Sequence, residues 1–228
     1  MFATTPPTMR LSLRVLARML AYPDAALRAH HGEMSRALQV EGALGPARTA
    51  ELQALLLRLG TAPALKVETD YVELFDRGRS TALHLFEHVH GDSRERGPAM
   101  IDLLQTFEQA GLYLAPGEMP DHLPVLLEFA STQPAAEARD FLAELSHIVC
   151  VIFSALLKRQ SPYASVLAAV LELAGEKAEP VPVADEPPMD ESWAEPEVFG
   201  GCSTEGQARP GQPRPIRIVK NTSLGAQP

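Results

Sequence analysis

Aromatic residues make up only 6% of this 228-residue chain, with a single Trp among them. A core must therefore be assembled from Leu, Ala, Val and Met, and at 46% hydrophobic content the material is sufficient. Cysteine is as scarce. Cys150 and Cys202 lie far apart and form no C-x-x-C pair, which excludes a disulfide framework and a cysteine-based zinc site and fits a reducing compartment. Cations are outnumbered, with 20 Lys and Arg against 29 Asp and Glu and a formal net charge of −9. That excludes a general nucleic-acid binder, which needs clustered Lys and Arg to displace counterions. The same balance suits a basic partner, and it is also common in acidic proteins without one. The longest apolar stretch, "LSHIVCVIFSALL" (145–157), contains His147 and runs into Lys158 and Arg159. It falls short of the about 20 residues a membrane span requires and reads as a buried helix, so no integral membrane protein is expected. Also missing are a Gly-rich phosphate loop, a supported Ser/His/Asp arrangement and paired carboxylates of convincing spacing. The chain is not expected to be an enzyme or to carry a cofactor or metal.

What the sequence has is helical periodicity. From about 9 to 174, runs such as "LSLRVLARML", "ELQALLLRLG" and "FLAELSHIVCVIFSALLKR" place apolar residues three and four apart, and almost nothing alternates as a half-buried strand would. Pro23, Gly42, Gly45, Pro63, Gly91, Gly111, Pro116, Gly117, Pro134 and Pro162 punctuate these runs. The expected fold is all-α: a single helical bundle over 9–174. The N-terminus contains arginine and no acid, as organelle presequences do. Arg10, Arg14 and Arg18 nevertheless recur every four residues opposite Leu13, Leu16 and Leu20, the mark of an ordinary amphipathic first helix. Arginines interrupt every candidate apolar core of a secretory signal, so none is expected. Residues 175–228 are rich in Pro, Gly and acids and lack a helical period. Such a composition cannot offset the entropy of ordering, and a disordered tail is expected. One apolar island at 192–201, "SWAEPEVFGG", reads either as a short binding motif or as a chance aromatic pair.

The stretch "LHLFEHVHGDSRERG" (83–97) holds His84, Glu87 and His88 in the order H-x-x-E-H, the inverted zinc-protease pattern. On a helix the two imidazoles would share one face, with Glu87 as base and a downstream carboxylate such as Glu108 or Glu128 as third ligand. Nothing local marks either glutamate as a ligand, and the same helix must bury Leu83, Leu85, Phe86 and Val89. A zinc-dependent hydrolase therefore stands as the alternative from a different class. The remainder makes better sense as architecture. His90 sits near a helix C-terminus, Gly91 suits a C-cap, and Asp92 with Glu95 forms a capping box for the next helix. Arg94 and Arg96 project from that helix toward acids such as Asp76 or Glu87. Pro98 would cost a backbone bond in a helix beginning at Ser93, so the regular helix starts either there or near Gly97–Pro98.

Two further clusters stand out. In "EMPDHLPVLLEFAS" (118–131), after Pro120, Asp121 is a good N-cap and Pro124 falls in the first turn. Leu123, Leu126, Leu127 and Ala130 form an apolar stripe there, while His122 and Glu128 are polar residues beside it. In "TDYVELFDRGRS" (69–80), Tyr71, Leu74 and Phe75 form a packing face ahead of Asp76, Arg77 and Arg79 at a helix end.

Together and in order, "YVELFD", "HGDSRERG" and "AGLYLAPGEMPDHLPVLLEFA" resemble the NarJ-type chaperones, members of the wider TorD-like group of redox-enzyme maturation proteins. "PDHLPVLLEF" is the strongest of these matches. The resemblance covers roughly residues 9–174, with His90, Gly91, Asp92, Arg94, Arg96, Gly97, Pro120 and Pro124 among the matching positions. Pro98 departs from the small or aliphatic residue expected after "RG". The tail's Trp193, Glu195, Pro196, Val198 and Phe199 resemble the family's C-terminal W-x-E-P-x-V-x-F segment, with a shortened valine-to-phenylalanine spacing. The resemblance implies a cytoplasmic chaperone that binds the N-terminal segment of the apo catalytic (alpha) subunit of respiratory nitrate reductase. It would hold that subunit competent for molybdenum cofactor and iron–sulfur insertion and delay its membrane docking. Molybdenum cofactor delivery proteins are candidate further partners, and a TorD-like chaperone for another molybdoenzyme is the alternative within the class. A client helix would lie in a groove between helices. Tyr71, Asp76, Asp121, His122 and Glu128 are the expected polar rim. Leu123 and Leu127 are either its floor or simply core.

Overall fold

The computed structural model describes residues 8–91 and 93–183. Helix α1 (Arg10–Leu20) is the axis of the bundle. Leu13, Val15, Leu16, Ala17, Met19 and Leu20 are buried, leaving Arg10 and Arg14 outside and Arg18 at the edge. Around it lie α2 (Ala25–Glu41), α3 (Pro46–Thr61), α4 (Ala64–Tyr71), α5 (Leu85–His90), α6 (Arg96–Gln109), α7 (Leu123–Thr132), α8 (Ala135–Lys158) and α9 (Ala164–Ala174). Among the described residues there is no named strand, only one isolated antiparallel bridge between His84 and His122. Helices α2 and α3 form one hairpin and α8 and α9 another, while α1 packs on α2, α7 and α9. The all-α expectation holds, and each breaker named above falls between two of these helices.

The ends follow local chemistry. The Asp24 carboxylate accepts the Leu27 N–H at 2.8 Å and starts α2. Gly42, at φ +62, ends it in the left-handed conformation, where a Cβ would be strained. The apolar run expected at 145–157 is the second half of the 24-residue α8, which is long and apolar enough to cross a membrane by length and composition. In this fold α8 is a core helix. Leu142, Ile148, Val149, Ile152, Phe153 and Leu156 are buried, and the helix packs against α7 and α9. Burying a leucine contributes about 2 kcal/mol relative to leaving it in water.

Three local details correct or sharpen these expectations. Helix α6 begins at Arg96, so Glu95 is its N-cap residue, with no side-chain cap bond, and not the fourth member of a capping box. Pro98 then falls in the first turn, where a missing N–H has no intrahelical partner to lose. Asp92 lies outside the described residues. Second, the "YVELFD" helix does not stop cleanly. It widens into a π-turn at Val72–Asp76, with the Arg77 N–H reaching the Val72 carbonyl at 3.1 Å. Third, the chain beyond Gly175 stays with the domain for several residues. The Cys150 thiol donates to the Glu179 carbonyl at 3.0 Å, and the Val181 N–H donates to the Ser154 hydroxyl at 2.9 Å. The tail island, with Trp193, Glu195, Pro196, Val198 and Phe199, lies outside the described residues.

Candidate functional site

The H-x-x-E-H pattern does not produce a metal face. His84 precedes α5 as its N-cap residue, in extended conformation (φ −84°, ψ 101°), so it does not share a helical face with His88. Each ring is engaged elsewhere. His88 Nε2 donates to the Ala82 carbonyl at 2.9 Å, and His84 Nδ1 lies 3.3 Å from the Asp121 carboxylate. Among the described residues no three His, Cys, Asp or Glu side chains are placed to hold a metal. Val89, expected inside, is 51% exposed. The zinc-hydrolase alternative loses its geometric premise.

Asp121 is also not where the sequence suggested. It does not cap its own helix, since α7 starts at Leu123 with His122 as N-cap residue and no side-chain bond. Its carboxylate is fully buried and accepts the Phe86 N–H at 3.2 Å, so it caps α5 from a distance in sequence. His84 meets its other oxygen, and Arg96 stands 3.7 Å away while also pairing with Glu87 at 3.4 Å. The backbones join as well: Leu85 N–H donates to the Asp121 carbonyl and Leu123 N–H to the Leu83 carbonyl. "LHLFEH", "RERG" and "PDHLP" are thus three parts of one joint. His122 stacks on His84 with ring centroids 4.8 Å apart. Its hydrogen bond to Asp121 holds His84 above the ordinary histidine range, whereas burial, and then the His84 charge, pushes His122 down to about 4. Opposed histidines of this kind avoid carrying two protons in contact.

The remaining expected rim residues scatter. Tyr71 is buried and donates its hydroxyl to the Leu20 carbonyl at 2.7 Å, and Leu123 and Leu127 are wholly inside. These three, with Asp121, are interior and cannot form an exposed rim or floor in this conformation. Asp76 is exposed at the end of the π-turn, and Glu128 is exposed on α7. Of the matching positions, His90 packs edge-on against Phe86, Gly91 takes φ +51, and Pro120 and Pro124 are buried. Arg94 is at the surface, as is Gly97, where nothing lies within 4 Å of an added Cβ.

One sizeable concavity is a feature that sequence reasoning missed. Two hollows of about 380 and 550 Å³ share Leu55, Arg58, Ser161 and Pro162 and lie side by side as a groove between α3, the π-turn and the α8–α9 turn. Leu55, Leu59, Val67 and Phe153 supply its apolar floor. Its charges are mostly paired already, Arg58 with Asp70 at 3.3 Å and Arg48 with Glu51. Behind the floor, Phe75 packs edge-on against Tyr163 with centroids 5.0 Å apart. The Tyr163 hydroxyl is buried in the groove wall with no hydrogen-bond partner among the described residues, whereas Arg48 Nε lies 3.7 Å from the Glu172 carboxylate. A buried donor left unpaired is costly, and one on an apolar groove suits a ligand that brings an acceptor. Gly78 shapes the adjoining turn, because a Cβ there would stand 2.4 Å from Thr81 Oγ1 and 2.8 Å from Arg159. Its sequence signal was the compact "DRGRST" turn, whose helix-breaking glycine was legible although its tertiary neighbours were not.

Comparison with known proteins bears on what such a bundle does. A family model described as "Nitrate reductase delta subunit" matches residues 41–169. The nitrate reductase molybdenum cofactor assembly chaperone NarJ of Escherichia coli K12 is 44% identical over 165 residues, covering 72% of this chain and 70% of that one. The nitrate reductase-like protein NarX of Mycobacterium tuberculosis is 39% identical over 113 residues, which is 49% of this chain and 17% of that longer one. A crystal structure of a candidate redox enzyme maturation protein from Archaeoglobus fulgidus superposes with a TM-score of 0.51 at 21% identity, covering 74% of this chain and 94% of that one. At that identity it speaks for the fold alone.

Proposed function

The chain belongs to the nitrate reductase delta subunit family, and from that premise we propose that it is a chaperone for assembly of a respiratory nitrate reductase, without catalytic activity of its own. The observation that carries this reading is the 44% identity over 165 residues to a protein of that role. In finer terms, the chaperone acts in the cytoplasm and binds the N-terminal segment of the apo alpha subunit. It holds the subunit open for insertion of molybdenum cofactor and iron–sulfur cluster, before the subunit docks at the membrane. Molybdenum cofactor delivery proteins are its second partners.

The groove between α3 and the α8–α9 turn is the site for the client's leader. An amphipathic leader helix lays apolar side chains on Leu55, Leu59, Val67 and Phe153. A client carbonyl or carboxylate at the wall satisfies the Tyr163 hydroxyl. In this reading the joint around Asp121 positions helices and does not touch the client.

Pulldown of the unmatured alpha subunit, with and without its leader, tests the role. Retention of the full apo-subunit and loss of the leaderless one is expected, and equal recovery of both would remove the leader from the reading. The location is tested by calorimetry with the leader peptide. Ala54, exposed on the groove wall, changed to Arg should weaken binding at least about tenfold, since its long side chain would fill the groove. Unaltered affinity would move the site elsewhere and leave the chaperone role standing.

A further inference from the structure

Between Arg96 and Arg139 the chain carries six carboxylates (Asp102, Glu108, Glu118, Asp121, Glu128 and Glu137) and no Lys or Arg. This stretch builds α6, the connector after it, α7 and the first residues of α8. Of the 14 residues of α6, only Phe107 is buried. Apolar side chains that a packed arm would cover stand in water instead: Ile101 is 55% exposed, Tyr113 80% and Met119 41%. Beside Tyr113 is a hollow of about 160 Å³, walled by Phe107, Leu112, Leu114, Val125 and Phe129. Glu128 and Thr132 are its only polar side chains apart from the Tyr113 hydroxyl, and no Lys, Arg or His lines it. Glu128 is exposed and makes no ion pair among the described residues.

We propose that this hollow docks a protein segment presenting one large apolar side chain with a Lys or Arg one helical turn away. The volume suits one such group, since an apolar cavity of roughly 150 Å³ can take a benzene ring. Inside, the group packs on Phe107 and Phe129, themselves 4.6 Å apart between ring centroids. Tyr113 closes over it as an exposed aromatic flank, and the cation meets Glu128. Charge selects the occupant. An acidic segment, or the same face of a second copy, would bring like charge to a stretch with no Lys or Arg of its own and is disfavoured. The hollow shares no lining residue with the leader groove, so this proposal stands or falls apart from the chaperone reading.

The test titrates the full chain, methyl-labelled for NMR, with an alanine-based helical peptide carrying one Phe and, a turn away, one Arg. A second titration uses the same peptide with Glu in place of Arg. Saturable shifts at the Leu112, Leu114 and Val125 methyls are expected, with the Arg peptide binding about tenfold more tightly than the Glu peptide at low salt. Glu128→Gln should erase that preference, and Tyr113→Ala, at a site too exposed to disturb the fold, should weaken both peptides. Three results would overturn the proposal: no saturable shift at those methyls, equal affinities that Glu128→Gln leaves unchanged, or shifts confined to Leu55, Leu59 and Val67 in the leader groove.

Discussion

Helices α6 and α7 flank one connector and are both rich in apolar residues, yet they bury very different amounts. In α7, Leu123, Pro124, Leu126, Leu127, Phe129 and Ala130 are all inside, packed on α1 and α8. In α6, Met100, Ile101, Leu103 and Leu104 are exposed or half-exposed, and Phe107 alone is buried. The difference shows that apolar content marks a face as able to pack, while only a neighbouring element makes it do so. It also divides the domain into a densely packed bundle and a sparsely buried arm, joined at Asp121 and Arg96.

The sharpest way to break this comparison is a pair of matched truncations. Leu127→Ala in α7 should cost about 3 kcal/mol of unfolding free energy, the price of a buried cavity. Ile101→Ala in α6 should change it by less than about 0.5 kcal/mol, as exposed substitutions do. Urea titration of both variants reads the contrast, and similar losses would mean that α6 is packed as firmly as α7.

Asp121→Ala attacks the joint. It strips partners from the Phe86 N–H, His84 and Arg96 at once, so a loss of about 2 kcal/mol is expected. Hydrogen exchange should then quicken in α5 and α6 ahead of α1 and α7. Uniform acceleration would show the two regions to be one cooperative unit.

The histidine pair offers the finest test, because its effect appears only as pH changes. The folded pKa of His122 lies below its ordinary 6.5, at about 4. Its contribution is therefore present above about pH 6.5 and lost as pH falls toward 4. His84 is raised, so its contribution is full below pH 6.5 and lost as pH climbs through its folded value. His122→Gln removes only the acid-side loss. The variant should gain on the wild type steadily from pH 6.5 down to 4 in unfolding titrations. A difference that stays flat with pH would mean that the rings are not protonated unequally.

Much of the fold was legible because caps and breakers act within one turn. Gly42, Gly45 and Pro134 mark helix ends from their own backbone preferences, and Leu13, Leu16 and Leu20 mark a buried face by spacing alone. Less of the candidate site was legible. Tyr71 and Asp121 looked like rim residues because Tyr and Asp usually keep a polar tip in water, and neither local sequence reveals the buried partner that changes this. For Tyr71 the partner is the Leu20 carbonyl, 51 residues away, and for Asp121 the Phe86 amide, 35 away. Glu128 was correctly read as a polar residue beside an apolar stripe. The hollow it borders draws on α6, the connector and α7 together.

From composition and periodicity alone came an all-helical chain with an acidic surface and an aliphatic core, since helix formation and apolar burial depend on neighbours three and four residues apart. Tertiary structure decided which faces found partners, where Asp121 spent its carboxylate, and that His84 and His88 would not share a face. Those outcomes rest on contacts between segments distant in the chain, and no local preference encodes which distant group will arrive.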